Sequence, residues 1–115
     1  MVRGTIVWVV LDPALGTEVP KTRPCVVVSR TVANENSLTI TVVPLSSIRG
    51  RQKERLVQPI ISAHESRLPK DSRALCDQVR TIDKARIHRV AGVLPETVLH
   101  RISQGLVLHQ GLEQE

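Results

Sequence analysis

Positive charge in this chain is gathered where it can act together. Residues 49–89 hold 11 of the 16 lysines and arginines against 5 acidic side chains, net +6, whereas residues 1–48 come to +1 and residues 90–115 to −2. The densest stretch is Arg49-Gly50-Arg51-Gln52-Lys53-Glu54-Arg55. Such a run raises a local potential that draws polyanions, and affinity for nucleic acid is largely phosphate neutralisation with counterion release. The same run also suits a solvated, solubilising loop, and charge alone does not choose between the two. Metal chemistry is not indicated, because His64, His88, His100 and His109 show no zinc-ligand spacing with Cys25 and Cys76. Two cysteines make no disulfide scaffold, and each sits in an apolar or strand-like stretch, so both read as reduced core thiols. No cofactor is expected.

The chain that must position these groups has 115 residues, the size of one domain spanning 1–115. Val, Ile and Leu number 17, 8 and 12, Phe and Tyr are absent, and Trp8 is the single aromatic residue. The core is therefore aliphatic and rich in β-branched residues, which favours strands. The longest apolar run is Ile6–Leu11, far short of a membrane span. The N-terminus does not read as a signal peptide, so a cytoplasmic protein without membrane contact is expected.

Five strands are predicted, at Thr5–Leu11, Arg23–Ser29, Leu38–Leu45, Leu56–Ile61 and Arg73–Val79. Asp12-Pro13, Asn34-Glu35-Asn36-Ser37 and Leu68-Pro69-Lys70-Asp71 mark turns. Thr81–His88 has helical spacing. A clearer helix starts at Pro95 with Glu96 in its first turn and carries Val98, Leu99, Ile102 and Leu106 at three- and four-residue intervals. The pattern suggests a mainly β fold, a small, strongly curved antiparallel sheet or barrel with a closing helix.

Several ordered segments resemble the MazF/PemK toxins of bacterial toxin–antitoxin systems. They are Arg3-Gly4 before the strand with Trp8, Leu11-Asp12-Pro13, Gly16-Thr17-Glu18, and Arg23-Pro24 leading into Val26-Val27-Val28-Ser29. Val43-Pro44-Leu45-Ser46-Ser47, the run Leu75 to Lys84, and the helix after Gly92-Val93-Leu94 follow in order. The resemblance implies an SH3-like β-barrel with short helices and a C-terminal α-helix, a homodimer, and a metal-independent, sequence-selective endoribonuclease acting on single-stranded RNA. It further implies a cognate antitoxin whose disordered tail covers the RNA groove, with operator DNA bound only through the antitoxin complex.

Such cleavage uses the 2′-hydroxyl as an internal nucleophile and leaves 2′,3′-cyclic phosphate and 5′-hydroxyl ends, so much of the entropic cost is met by the substrate. Three roles remain: taking a proton from the 2′-hydroxyl, stabilising the phosphorane and assisting the leaving oxygen. The catalytic candidates are Arg23, Ser46 and Asp77. The guanidinium of Arg23 grips two phosphate oxygens and suits electrostatic stabilisation better than proton donation; alternatively it forms a salt bridge with Glu18. Ser46 stands where many members carry threonine, with Ser47 as its neighbouring substitute, and it could instead end its strand by bonding to backbone. In some PemK-type members the aspartate matching Asp77 is paired with an arginine two positions earlier, but Leu75 occupies that position here. Asp77 is either a base or an orienter of Arg23 or Arg80. On a strand, Cys76 and Gln78 would face one way and Asp77 the other.

With one aromatic residue, which the first strand would carry into the core, base reading is expected from arginine planes, polar side chains and the loops 12–22 and 46–56. The RNA-binding candidates are Glu18, Lys21, Ser47, Arg49, Arg51, Lys53, Gln78 and Arg80, with no metal ligands. Two other outcomes fit the sequence: a catalytically silent SH3-like module binding nucleic acid or antitoxin, and a gyrase inhibitor like the CcdB toxins.

Overall fold

The β-branched segments Thr5–Val10, Thr22–Val27 and Thr39–Ser47 form strands β1, β2 and β3. The computed structural model describes residues 1–11 and 21–113, so Asp12-Pro13, Gly16 and Glu18 lie outside the described residues. β1 runs antiparallel to β2 with Trp8 opposite Pro24 and Val9 opposite Arg23. β2 runs antiparallel to β3 with Cys25 opposite Pro44.

Strand alternation then sorts the side chains into two apolar compartments. Ile6, Val26, Val43 and Leu45 join Ala74, Cys76, Val98, Leu99 and Ile102 on one side. Val7, Val9, Cys25, Val27, Ile40 and Val42 join Leu11 and Ile82 on the other. Burying one such side chain fully is worth about 1.5–3 kcal/mol, so both compartments contribute heavily to a domain that is stable by only about 5–15 kcal/mol.

Four more strands complete the sheet: β4 (Ile60–Ile61), β5 (Ser72–Ala74), β6 (Arg80–Asp83) and β7 (Ile87–Val93). The order is β4-β5-β3-β2-β1-β7, with β6 also pairing β3, and every ladder is antiparallel. Among the described residues no ladder joins β7 to β4 or β6, so the pairing path is not closed. The β1–β7 register shifts twice, between Ile6 and Val7 and between Trp8 and Val9.

Helix α3 (Glu96–Gln110) follows Pro95, buries Val98, Leu99, Ile102 and Gly105, and covers the first compartment. Gly111, at φ 62°, stops it: its amide donates to the Leu108 carbonyl at 3.4 Å, and the Leu112 amide donates to Val107 at 3.1 Å. Gly105 lies so close to Cys76 that an added Cβ would sit 2.8 Å from its sulfur.

Five segments depart from the sequence-based expectation. Thr81–His88 is not a helix; it is β6, a short 3-10 turn at Lys84–Arg86 and the start of β7. The Asp83 carboxylate accepts the Ala85 amide at 2.7 Å and so stabilises the turn. The Arg73–Val79 strand is cut short at Ala74, because Cys76–Gln78 forms a 3-10 turn. Gln78 is therefore exposed beside Asp77 instead of sharing the buried side of Cys76. Leu56–Ile61 pairs as a strand only at Ile60–Ile61. Two short helices have no counterpart in the sequence-based expectation: α1 (Thr31–Glu35) runs into the turn expected at Asn34-Glu35, and α2 (Ala63–Ser66) is fixed by a capping box between Ser62 and Glu65.

Candidate functional site

The pairing of β2 with β3 brings the first candidates together. The ladder is paired as far as Cys25–Pro44, two residues short of Arg23 on β2 and of Ser46 on β3. Both line a cavity of about 780 Å³ at the start of β2 and the end of β3. Lys21, Thr22 and Ser47 stand on its rim, and the turn after α2 contributes Pro69, Lys70 and Ser72. Trp8, Pro24, Leu45 and Leu68 form its apolar wall. The cavity thus offers three cations and several hydroxyls beside an apolar surface, a combination suited to a phosphate attached to a ring system.

Arg23 is exposed, and among the described residues it makes no ion pair. Its postulated partner Glu18 lies outside the described residues. Burial pushes the Cys25 thiol up to about 12, against the pull of the Arg80 and Arg23 charges. Arg80, opposite Val42 on β6, therefore adds its charge near the same end of the sheet, although it does not line the cavity.

Asp77 is not among the cavity residues. Its Oδ1 accepts a hydrogen bond from Gln58 Nε2 at 2.9 Å. The ion pairs among the described residues are those of Arg101 with Glu54 (3.9 Å) and Glu65 (2.8 Å). Asp77 therefore orients neither Arg23 nor Arg80 through a salt bridge. Leu75, where some relatives carry arginine, donates its amide to the Pro44 carbonyl at 2.9 Å, so this turn is anchored just upstream of Ser46.

Arg49, Arg51 and Lys53 are exposed and follow directly from the cavity rim at Ser47. Gly50 turns that loop with φ 67° and open space around it. Arg73, on β5 opposite Ser46, donates to Gln58 O, Gln52 Oε1 and Lys53 O.

Trp8 is only partly buried: it packs on the first compartment and forms one cavity wall. The sequence reading placed it in the core, and strand alternation alone cannot show that the wall beside it stays open. The contributions of Lys70 and Ser72 were also missed, since a turn lysine and a strand serine carry no motif. Among the described residues no three His, Cys, Asp or Glu side chains group as metal ligands. No described helix is long and apolar enough to cross a membrane.

A family model described as the PemK-like, MazF-like toxin of type II toxin–antitoxin systems matches residues 2–109. Endoribonuclease MazF9 of Mycobacterium tuberculosis is 37% identical over 117 residues, covering 97% of this chain and 98% of its own. Of the solved structures, MazE–MazF from Deinococcus radiodurans has a TM-score of 0.78 at 23% identity, covering 98% of this chain and 97% of that one. An endoribonuclease in complex with its cognate antitoxin, from Mycobacterial species, has a TM-score of 0.76 at 17% identity over 100% of this chain and 99% of that one. These two structures share the fold.

Proposed function

The chain belongs to the PemK-like, MazF-like toxins of type II toxin–antitoxin systems, and from that premise we propose that it is an endoribonuclease cleaving single-stranded RNA through the RNA's own 2′-hydroxyl. The observation that carries this reading is the shared cavity of Arg23 and Ser46, with Lys21 and Ser47 on its rim. The 2′-hydroxyl gives its proton to water and its oxygen attacks phosphorus as the bond to the 5′-oxygen breaks; that oxygen takes up a proton from water, giving a 2′,3′-cyclic phosphate and a 5′-hydroxyl. Arg23 stabilises the charge that builds on the phosphorane, and Ser46 donates to a phosphate oxygen or orients the 2′-hydroxyl. No step in this scheme requires a metal ion. Asp77 does not line the cavity, and its Oδ1 accepts from Gln58, which supports a positioning part over the role of base. Lys21, Arg80 and the 49–55 run supply phosphate contacts, and the partly exposed Trp8 ring gives a base a surface to stack on.

The family reading extends to an SH3-like barrel built from the curved sheet, a homodimer, a cytoplasmic location and an antitoxin that covers the cavity. The antitoxin partner is supported by the endoribonuclease solved in complex with its cognate antitoxin. Incubating the purified protein with a long transcript in EDTA and mapping 5′-hydroxyl ends tests the proposal. Cleavage at a recurring short sequence, lost in Arg23→Ala while the protein stays folded, is the expected result. Intact RNA, or cleavage only after a divalent cation is added, overturns it.

A further inference from the structure

Arg73 sits one strand away from the cavity, opposite Ser46 on one side and Ile60 on the other. Among the described residues its guanidinium reaches no acid. Instead Nη1 donates to the Gln58 carbonyl at 3.3 Å, while Nη2 donates to Gln52 Oε1 at 3.0 Å and to the Lys53 carbonyl at 3.1 Å. Two of these acceptors, Gln52 and Lys53, lie in the stretch of densest positive charge, and Gln58 lies three residues beyond it, in the same segment between β3 and β4. Between β3 and β4 that segment has little order of its own: a single Arg55–Gln58 bridge, closed by the Gln58 amide on the Arg55 carbonyl at 3.0 Å. Asp77 holds the same turn from the other end through Gln58 Nε2. Arg49, Arg51, Lys53 and Arg55 remain exposed, and among the described residues none lies within ion-pair distance of a carboxylate. The loop is thus gripped through its backbone and amide groups while its cations stay available.

We propose that Arg73, assisted by Asp77 through Gln58, is a positioning residue that sets the basic loop 49–55 beside the Arg23 cavity, so that the loop's cations meet the phosphates flanking the cleaved bond. This rests on the endoribonuclease reading above. A planar guanidinium serves three acceptors at fixed angles, whereas an ammonium is a point charge that cannot span them. Arg73→Lys therefore keeps the charge and removes the grip. A loop ordered before binding loses less freedom when RNA arrives, so the effect falls on affinity.

The test is a double-mutant cycle. Binding of a labelled single-stranded RNA of mixed sequence, with 2′-methoxy groups so that it binds uncleaved, is measured by anisotropy over a salt series. Arg73→Lys is expected to weaken binding about tenfold and, on cleavable RNA, to raise KM while kcat stays within about twofold. In a chain already carrying Arg49→Gln, Arg51→Gln and Lys53→Gln, Arg73→Lys is expected to add nothing, because the loop it positions no longer holds charge. Wild-type affinity in Arg73→Lys, an equal loss in both backgrounds, or a loss confined to kcat overturns the proposal. Should Arg73→Lys fail to fold, Gln52→Leu removes one exposed acceptor, and a smaller loss that again disappears in the neutralised loop is required. Failure of the parent reading shows separately, as wild-type protein that leaves cleavable RNA intact, and the anisotropy cycle still decides the positioning role.

Discussion

Arg89 holds its guanidinium carbon 4.9 Å from the centre of the Trp8 ring, its cross-strand neighbour in the β1–β7 ladder. Pro24 flanks Trp8 from β2, so the ring is braced from both neighbouring strands beside the cavity. A cation–π contact at an exposed site is worth about 0.5–1 kcal/mol, and Arg89→Ala should lower the thermal midpoint by about 2–6 °C. Trp8→Leu should weaken RNA binding by about 1–3 kcal/mol, roughly five- to 150-fold, if a base stacks there. Because Trp8 is the only tryptophan, its fluorescence reports the site directly. Unaltered emission on saturation with RNA would exclude stacking.

Arg23 separates charge from geometry. Arg23→Lys keeps a cation in the cavity but loses the bidentate grip, and Arg23→Gln loses the charge itself. Losing a donor aimed at developing negative charge costs about 10²–10³ in kcat, so the glutamine variant should fall at least that far. The lysine variant should retain more. Single-turnover cleavage of one oligonucleotide measures both, and equal rates would exclude an electrostatic role.

Both thiols should be inert in the folded protein. Burial pushes Cys25 up to about 12, against Arg80 and Arg23, and burial pushes Cys76 up to about 11 with the Asp77 carboxylate adding to the effect. An unfolded thiol titrates near about 8.5, so the folded state binds its proton more tightly. That stabilisation is complete below the unfolded value and is lost as pH climbs toward the folded ones. The thermal midpoint should therefore decline from about pH 9 upward. Iodoacetamide at neutral pH should label neither cysteine until denaturant is added.

Acid should act through Glu65. Burial works to raise its pKa, but the Ser62 amide and the Arg101 guanidinium outweigh it and the net shift is downward. A carboxylate lowered in the folded state stabilises above its unfolded pKa and loses that contribution as pH falls through the folded value. Glu65→Gln should flatten the acid limb of the stability curve while costing only about 1 kcal/mol at neutral pH, since the pair is partly exposed. An unchanged acid limb would assign acid sensitivity elsewhere.

Gly105→Ala tests the packing of α3 on the Cys76 turn. Its methyl would meet the Cys76 sulfur at 2.8 Å and the Leu56 carbonyl at 3.1 Å. Overpacking of this kind costs about 1–3 kcal/mol, more than the helix propensity gained over glycine, and urea denaturation should show it. In Cys76→Ala the same substitution should be better tolerated.

β1, β2, β3 and α3 were legible because local pattern and tertiary role agree: β-branched runs in the strands, and three- and four-residue spacing under Pro95 in the helix. Thr81–His88 misled because Ile82 and Ile87 bracket a 3-10 turn and pack on one compartment from two different strands. Arg23 and Ser46 were named by the family motif, and both line one cavity just beyond the last β2–β3 pair. Arg73 was not. Its role depends on β5 lying between β3 and β4, and its acceptors are 15 to 21 residues away in a loop without periodicity.

The three middle strands are walled by apolar compartments on both sides, and Cys25–Val27 and Val42–Leu45 are buried without interruption. Such strands have no spare face on which new side chains can be tried. In a saturation library, functional diversity should therefore collect in the connecting segments and along outward-facing β7, while the central strands accept little beyond aliphatic exchanges. The frame thus leaves only its periphery free to vary.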